Sequence, residues 1–141
     1  MDKKKIVLVG GCFDILHFGH VHFLKQAKNL GDYLIVALES DINVKRLKGS
    51  TRPIHSESQR KEILESLSFI DEVRILPEMK GDEDYEKLVI EVSPNIIAIT
   101  KNDPFKDKKK GHAKKVGAQV IEIEKVEIPS SSQIAKMLEI E

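Results

Sequence analysis

The 141-residue chain is 40% hydrophobic and 33% charged, and its 23 basic and 23 acidic side chains cancel to a formal net charge of zero. Those values argue for one folded domain over residues 1–141 and against a disordered chain or a nucleic-acid-binding surface. A single cysteine, Cys12, excludes an intrachain disulfide and a thiolate cluster, and the apolar run at residues 6–9 is too short for a membrane span or signal core, so a cytoplasmic protein with no membrane partner is expected.

The first predicted strand is that run, Ile6-Val7-Leu8-Val9. A glycine- and histidine-rich junction follows, then a helix with Val21, Leu24, Ala27 and Leu30 on its apolar face, stopped near Gly31. Residues 33–38 are unbroken apolar, which suits a parallel strand covered on both faces. Residues 41–53 are polar and basic and read as a loop with a short helical start. Ser56-Glu57-Ser58-Gln59 has capping-box spacing, and Ile63, Leu64 and Leu67 give the helix it opens an apolar face. A third strand, 73–76, is stopped by Pro77. Tyr85, Leu88, Val89 and Val92 mark a helix over 82–92, and 96–99 is the fourth strand. The lysine-rich stretch 103–116 reads as a helix around an exposed loop, ended by Gly117, before a fifth strand at 118–123. Ser131 or Ser132 caps a last short helix through Ile134, Ala135 and Leu138. Strands alternating with helices predict an α/β fold: a single Rossmann-like domain with a five-stranded parallel sheet between helices.

The chemistry concentrates at the first junction, Gly11-Cys12-Phe13-Asp14-Ile15-Leu16-His17-Phe18-Gly19-His20. A strand end leading into a helix is where an α/β fold binds phosphate. Gly10 and Gly11 permit a tight exit from the strand, Gly19 permits close approach of a ligand, and imidazoles can donate hydrogen bonds to phosphate oxygens. Asp14 can cap the turn, or orient a histidine or a substrate amine. Spacing alone leaves three uses of His17 and His20 open: phosphate binding, a metal pair, and ordinary half-buried polar groups. Downstream, Lys45-Arg46-Leu47-Lys48-Gly49 and Arg52-Pro53 supply cations that can close over an anion. Arg60, one turn into the next helix, can reach back to bind phosphate bidentately.

The junction resembles the signature of the cytidylyltransferase-like nucleotidyltransferases, a superfamily that includes glycerol-3-phosphate cytidylyltransferase, ADP-heptose-forming adenylyltransferase domains and archaeal FAD synthetase. The basic run 45–53 with Gln59-Arg60 is similar to the heptose-phosphate adenylyltransferase pattern. The resemblance implies catalytic roles for His17, His20, Lys48 and Arg60 at the nucleotide phosphates, with Lys45 assisting. It sets Gly11, Cys12, Phe13, Asp14 and Gly19 against the nucleotide. It puts Asp103 near base and ribose, although Lys101 and Asn102 replace the usual preceding glycines. Ser130, Ser131 and Ser132 match the Ser-Thr-Thr segment opening the family's last helix.

The reaction so implied moves AMP from ATP to a phosphorylated small-molecule acceptor, favouring a sugar phosphate, and releases pyrophosphate. No protein-held metal site is indicated; Mg²⁺ is expected with the triphosphate. CTP with glycerol 3-phosphate, or ATP with FMN, are the alternative substrate pairs, and a non-catalytic nucleotide-binding module is the alternative class. No linked sugar-kinase domain is expected, so the acceptor is expected to arrive already phosphorylated. A homodimer is expected by resemblance. The lysines at 106, 108, 109 and 110 read as a solvated surface, and His112 as an exposed residue outside the signature.

Overall fold

A computed structural model describes residues 3–126, together with residues 133 and 136. The chain runs β1 (Ile6–Gly11), α1 (Phe18–Asn29), β2 (Tyr33–Leu38), α2 (Asp41–Lys48), α3 (Glu57–Glu65), β3 (Glu72–Ile75), α4 (Asp82–Val92), β4 (Ile96–Thr100), α5 (Lys106–Val116) and β5 (Gln119–Ile123). The five strands form one parallel sheet in the order β3-β2-β1-β4-β5. The predicted fold class is the observed one. Two elements differ from expectation. Residues 41–48 form a full helix, capped by the Ser40 hydroxyl on the Asn43 amide, and α5 begins only at Lys106. The last predicted helix and Ser130, Ser131 and Ser132 lie outside the described residues.

Alternate residues of each central strand feed two cores. Val7, Val9, Leu34, Val36 and Leu38 pack with Leu24 and Ala27 of α1 and Leu64 of α3. Leu8, Ile35, Ala37, Ile97 and Ile99 pack with Val89 and Val92 of α4 and Ala113 of α5. Burial on both faces is why these strands read as unbroken apolar runs. Gly31 closes the turn from α1 into β2, where any Cβ would sit 2.6 Å from the Lys5 carbonyl oxygen.

From β1 the chain steps to β2 and β3, then crosses back to β4 and β5 on the other side of β1. The connections leaving β1 and β4 therefore diverge, and a crevice opens beyond their carboxyl ends, the general ligand position of open parallel sheets.

Candidate active site

The junction after β1 is built from strained backbone held by buried charge. Phe13 has φ +47° and Ile15 has φ +58°, left-handed conformations that L-residues rarely adopt, least of all β-branched ones. Each costs about 1–3 kcal/mol and persists only where its surroundings impose it. Asp14, between them, is 1% exposed. Its carboxylate accepts from Arg52 Nε (2.8 Å) and from the amides of Ile54 (2.7 Å) and His55 (2.9 Å). Burial opposes that charge, but the two amides and the guanidinium outweigh it and leave the Asp14 pKa lowered. The Phe13 ring folds back over Gly11, where a Cβ would meet it at 2.8 Å, and turns its edge to His20 at 5.4 Å between ring centroids.

The two histidines start α1 as a reciprocal capping pair. His17 is the N-cap, and its Nδ1 accepts from the Gly19 amide (3.1 Å); His20 Nδ1 accepts from the His17 amide (3.3 Å). The imidazoles stack with centroids 3.8 Å apart and planes 19° from parallel. Since both Nδ1 atoms accept, a neutral ring must carry its proton on Nε2. Burial lowers the His17 pKa. Burial, then the neighbouring His17 and Lys48, push His20 down to about 4. At neutral pH the helix start thus presents two neutral imidazoles as Nε2–H donors, beside the positive end of the helix dipole.

Lys48, exposed at the end of α2, lies close enough to His20 and Cys12 to lower the pKa of each. Lys45, also exposed, lines an adjoining open groove of about 580 Å³ with Ser50, Thr51 and Ile54. Burial raises the Cys12 pKa more than the surrounding cations lower it, so the thiol stays protonated at neutral pH and is no ready nucleophile. Gly11, Cys12 and Gly19 remain partly exposed along the junction.

Arg60, Asp14 and Asp103 sit differently from their sequence-based assignments at the nucleotide. Arg60 is fully buried and touches no open space. Its Nε donates to the His55 carbonyl (3.0 Å), Nη1 to the Cys12 (2.8 Å) and Glu39 (2.9 Å) carbonyls, and Nη2 to Asp41 Oδ1 (2.9 Å). It is a positioning residue that fastens the ends of β1 and β2 to α2 and α3. Asp14 likewise shapes the loop from beneath. Asp103 accepts from the Phe105 amide (2.8 Å) and Lys109 Nζ (2.7 Å), so its carboxylate is occupied by the entry into α5. The lysine cluster is only partly a solvated surface: Lys109 pairs with Asp103 and Lys106 with Glu122, while Lys108 and Lys110 are exposed. His112, expected at the surface, is 5% exposed because α5 turns it toward α4.

Sequence reading missed a buried network under the crevice. Glu39, just past β2, accepts from Asn43 Nδ2 (3.1 Å) and the Tyr85 hydroxyl (2.8 Å). Burial and this carboxylate raise the Tyr85 pKa far above its usual range. A charged residue directly after an unbroken apolar strand was the available signal. These groups do not fit a protein-held Mg²⁺ at the crevice, since Asp14 and Glu39 are each consumed by protein donors. Among the described residues, the one trio of His, Cys, Asp or Glu close enough to share an ion is Asp82, Glu86 and His112, between α4 and α5.

Fold and geometry define the class: a parallel α/β domain whose switch-point helix start is equipped to hold anions. The matching family description, Cytidylyltransferase-like, spans residues 8–135. The chain belongs to that family. It is 42% identical over 140 residues to the Bifunctional protein HldE of Campylobacter jejuni subsp. jejuni serotype O:6, covering 98% of this chain and 28% of that protein. It is 51% identical over 94 residues to the protein of the same name from Nitratiruptor sp., covering 67% of this chain and 20% of that protein. The chain thus spans less than a third of the length of these curated relatives. Among solved structures, the lipopolysaccharide core biosynthesis protein from Thermoplasma volcanium is similar with TM-score 0.70 and 30% identity, over 89% of this chain and 99% of that one. Pantoate-beta-alanine ligase from Francisella tularensis, complexed with beta-gamma ATP and beta-alanine, shares the fold at TM-score 0.67 and 20% identity, over 96% of this chain and 66% of that one. No helix among the described residues is long and apolar enough to cross a membrane.

Proposed function

We propose that this chain transfers AMP from ATP to a phosphorylated small-molecule acceptor, a sugar phosphate, with release of pyrophosphate. The observation that carries the reading is the reciprocal capping of His17 and His20, which fixes two Nε2–H donors at the switch point. An acceptor phosphate oxygen attacks the α-phosphorus in line. The new P–O bond forms as the bond to the β-phosphate oxygen breaks, and pyrophosphate carries away that electron pair. A phosphate oxygen is already anionic at neutral pH, so no protein base is required. His17 and His20 donate hydrogen bonds to the charge gathering on the phosphates, and Lys48 adds an exposed cation from the end of α2. Mg²⁺ belongs with the nucleotide substrate, coordinated by phosphate oxygens and water.

Similarity to the HldE proteins over nearly the whole chain supports ATP and a sugar phosphate over the other substrate pairs. The test is pyrophosphate release with ATP and CTP, each against a heptose phosphate, glycerol 3-phosphate and FMN. Fastest turnover with ATP and the sugar phosphate is expected. Preference for CTP with glycerol 3-phosphate overturns the adenylyl assignment, and nucleotide binding without turnover on any acceptor overturns the enzymatic one.

A further inference from the structure

Away from the crevice, α4 and α5 lie side by side on one face of the sheet. Asp82 and Glu86 are one helical turn apart on α4, so their carboxylates share a face. His112 reaches that face from the middle of α5, with its side chain 6% exposed and its Nε2 2.9 Å from Asp82 Oδ1. One ligand atom from each of the three lies within 4.8 Å of the other two.

Distance alone would make His112 and Asp82 an ion pair, but the direction is wrong for a hydrogen bond. His112 Nε2 is buried and makes none. Unpaired buried polar atoms are rare in native folds, and each calls for an explanation such as strain, a bound water or a bound ion. Lys115 approaches Glu86 only to 3.7 Å and leaves the imidazole unsatisfied. The Asp82 and Glu86 side chains are 45% and 33% exposed, so an ion has a path in and water can complete its shell.

We propose that Asp82, Glu86 and His112 bind a divalent ion of the Zn²⁺ class and clamp α4 to α5. One imidazole nitrogen with two carboxylate oxygens is a borderline donor set, which suits Zn²⁺ or Co²⁺ better than Mg²⁺ or Ca²⁺. α5 follows the 101–105 loop at the β4 edge of the crevice, so the clamp fixes the helix from which that loop hangs.

The test is Zn²⁺ titration of chelator-treated protein in the absence of nucleotide, read by calorimetry and by Tm, with Co²⁺ as a visible-absorption probe. One ion per chain and a raised Tm are expected. His112→Asn and Asp82→Asn should each weaken binding more than about 100-fold, beyond what losing a ligand's hydrogen-bonding support costs. Circular dichroism and ATP affinity should be unchanged in both variants, which separates lost ligation from lost folding. His17→Ala should bind the ion as the wild type does. The proposal is overturned if stoichiometric Zn²⁺ neither binds nor raises Tm, if affinity survives in His112→Asn, or if it disappears in His17→Ala.

Discussion

Arg60→Ala should destabilise the whole domain, not just slow it. The guanidinium is fully buried and divides its three nitrogens among four acceptors. Truncation strands the buried Glu39 carbonyl and removes the tie from Cys12 to His55. Hydrogen bonds to a charged group contribute about 1.5–3 kcal/mol each, and removing one member of a buried ion pair costs about 3–5 kcal/mol. The Asp41 share is discounted because that carboxylate is 39% exposed and water replaces its partner. A loss of about 4 kcal/mol follows, a large part of the ~5–15 kcal/mol by which domains are stable. For a chain of this length that lowers Tm by roughly 10–15 °C. Thermal unfolding followed by circular dichroism on wild type, Arg60→Ala and Arg60→Lys measures it. Lysine keeps the charge but not the fork and should fall between the two. If Arg60→Ala unfolds within about 2 °C of wild type while turnover collapses, the staple is wrong and the residue acts on substrate.

His17→Ala should lower turnover about 100-fold or more by removing one donor, while the lost cap takes only about 1 kcal/mol from stability; steady-state kinetics beside a urea melt separates the two. His20 titrates at about 4 in the fold against an ordinary 6.5, so the unfolded chain binds the proton more readily. Stability from this group is therefore complete above about pH 6.5 and lost as pH falls toward 4; urea midpoints across that range should drop in wild type and less in His20→Gln. Tyr85→Phe leaves one Glu39 oxygen without its donor and should lower stability by about 1–3 kcal/mol, and an unchanged urea midpoint would remove the network from the account of the crevice.

The parallel sheet was legible because burial on both faces writes itself into the chain as apolar runs such as residues 33–38. α2 was not. Its only buried residues are Asn43 and Val44, and Asn43 holds the backbone of Met79 rather than filling an apolar stripe. That His17 and His20 share a helix start was legible from spacing and flanking glycines, whereas spacing alone left their use open. The assignment of Arg60 was not, because sequence states a charge but not the carbonyls that converge on it from β1, β2 and the 52–55 loop. His112 was misread for a related reason. The lysine-rich α5 carries almost no apolar periodicity, so what buries one of its residues is contact with α4, a tertiary fact.

The histidine cap has one consequence for direction. Each Nδ1 is pinned by a backbone amide, so in the proposed transfer each Nε2 keeps its proton. Donors that never surrender their protons leave the protein in the same ionisation state after product departs as before substrate arrived. The proposed cycle then needs no step to restore a proton. In the proposed transfer the same two donors then face the phosphates in pyrophosphorolysis as in synthesis, and the reaction's equilibrium, not the protein, sets the net direction.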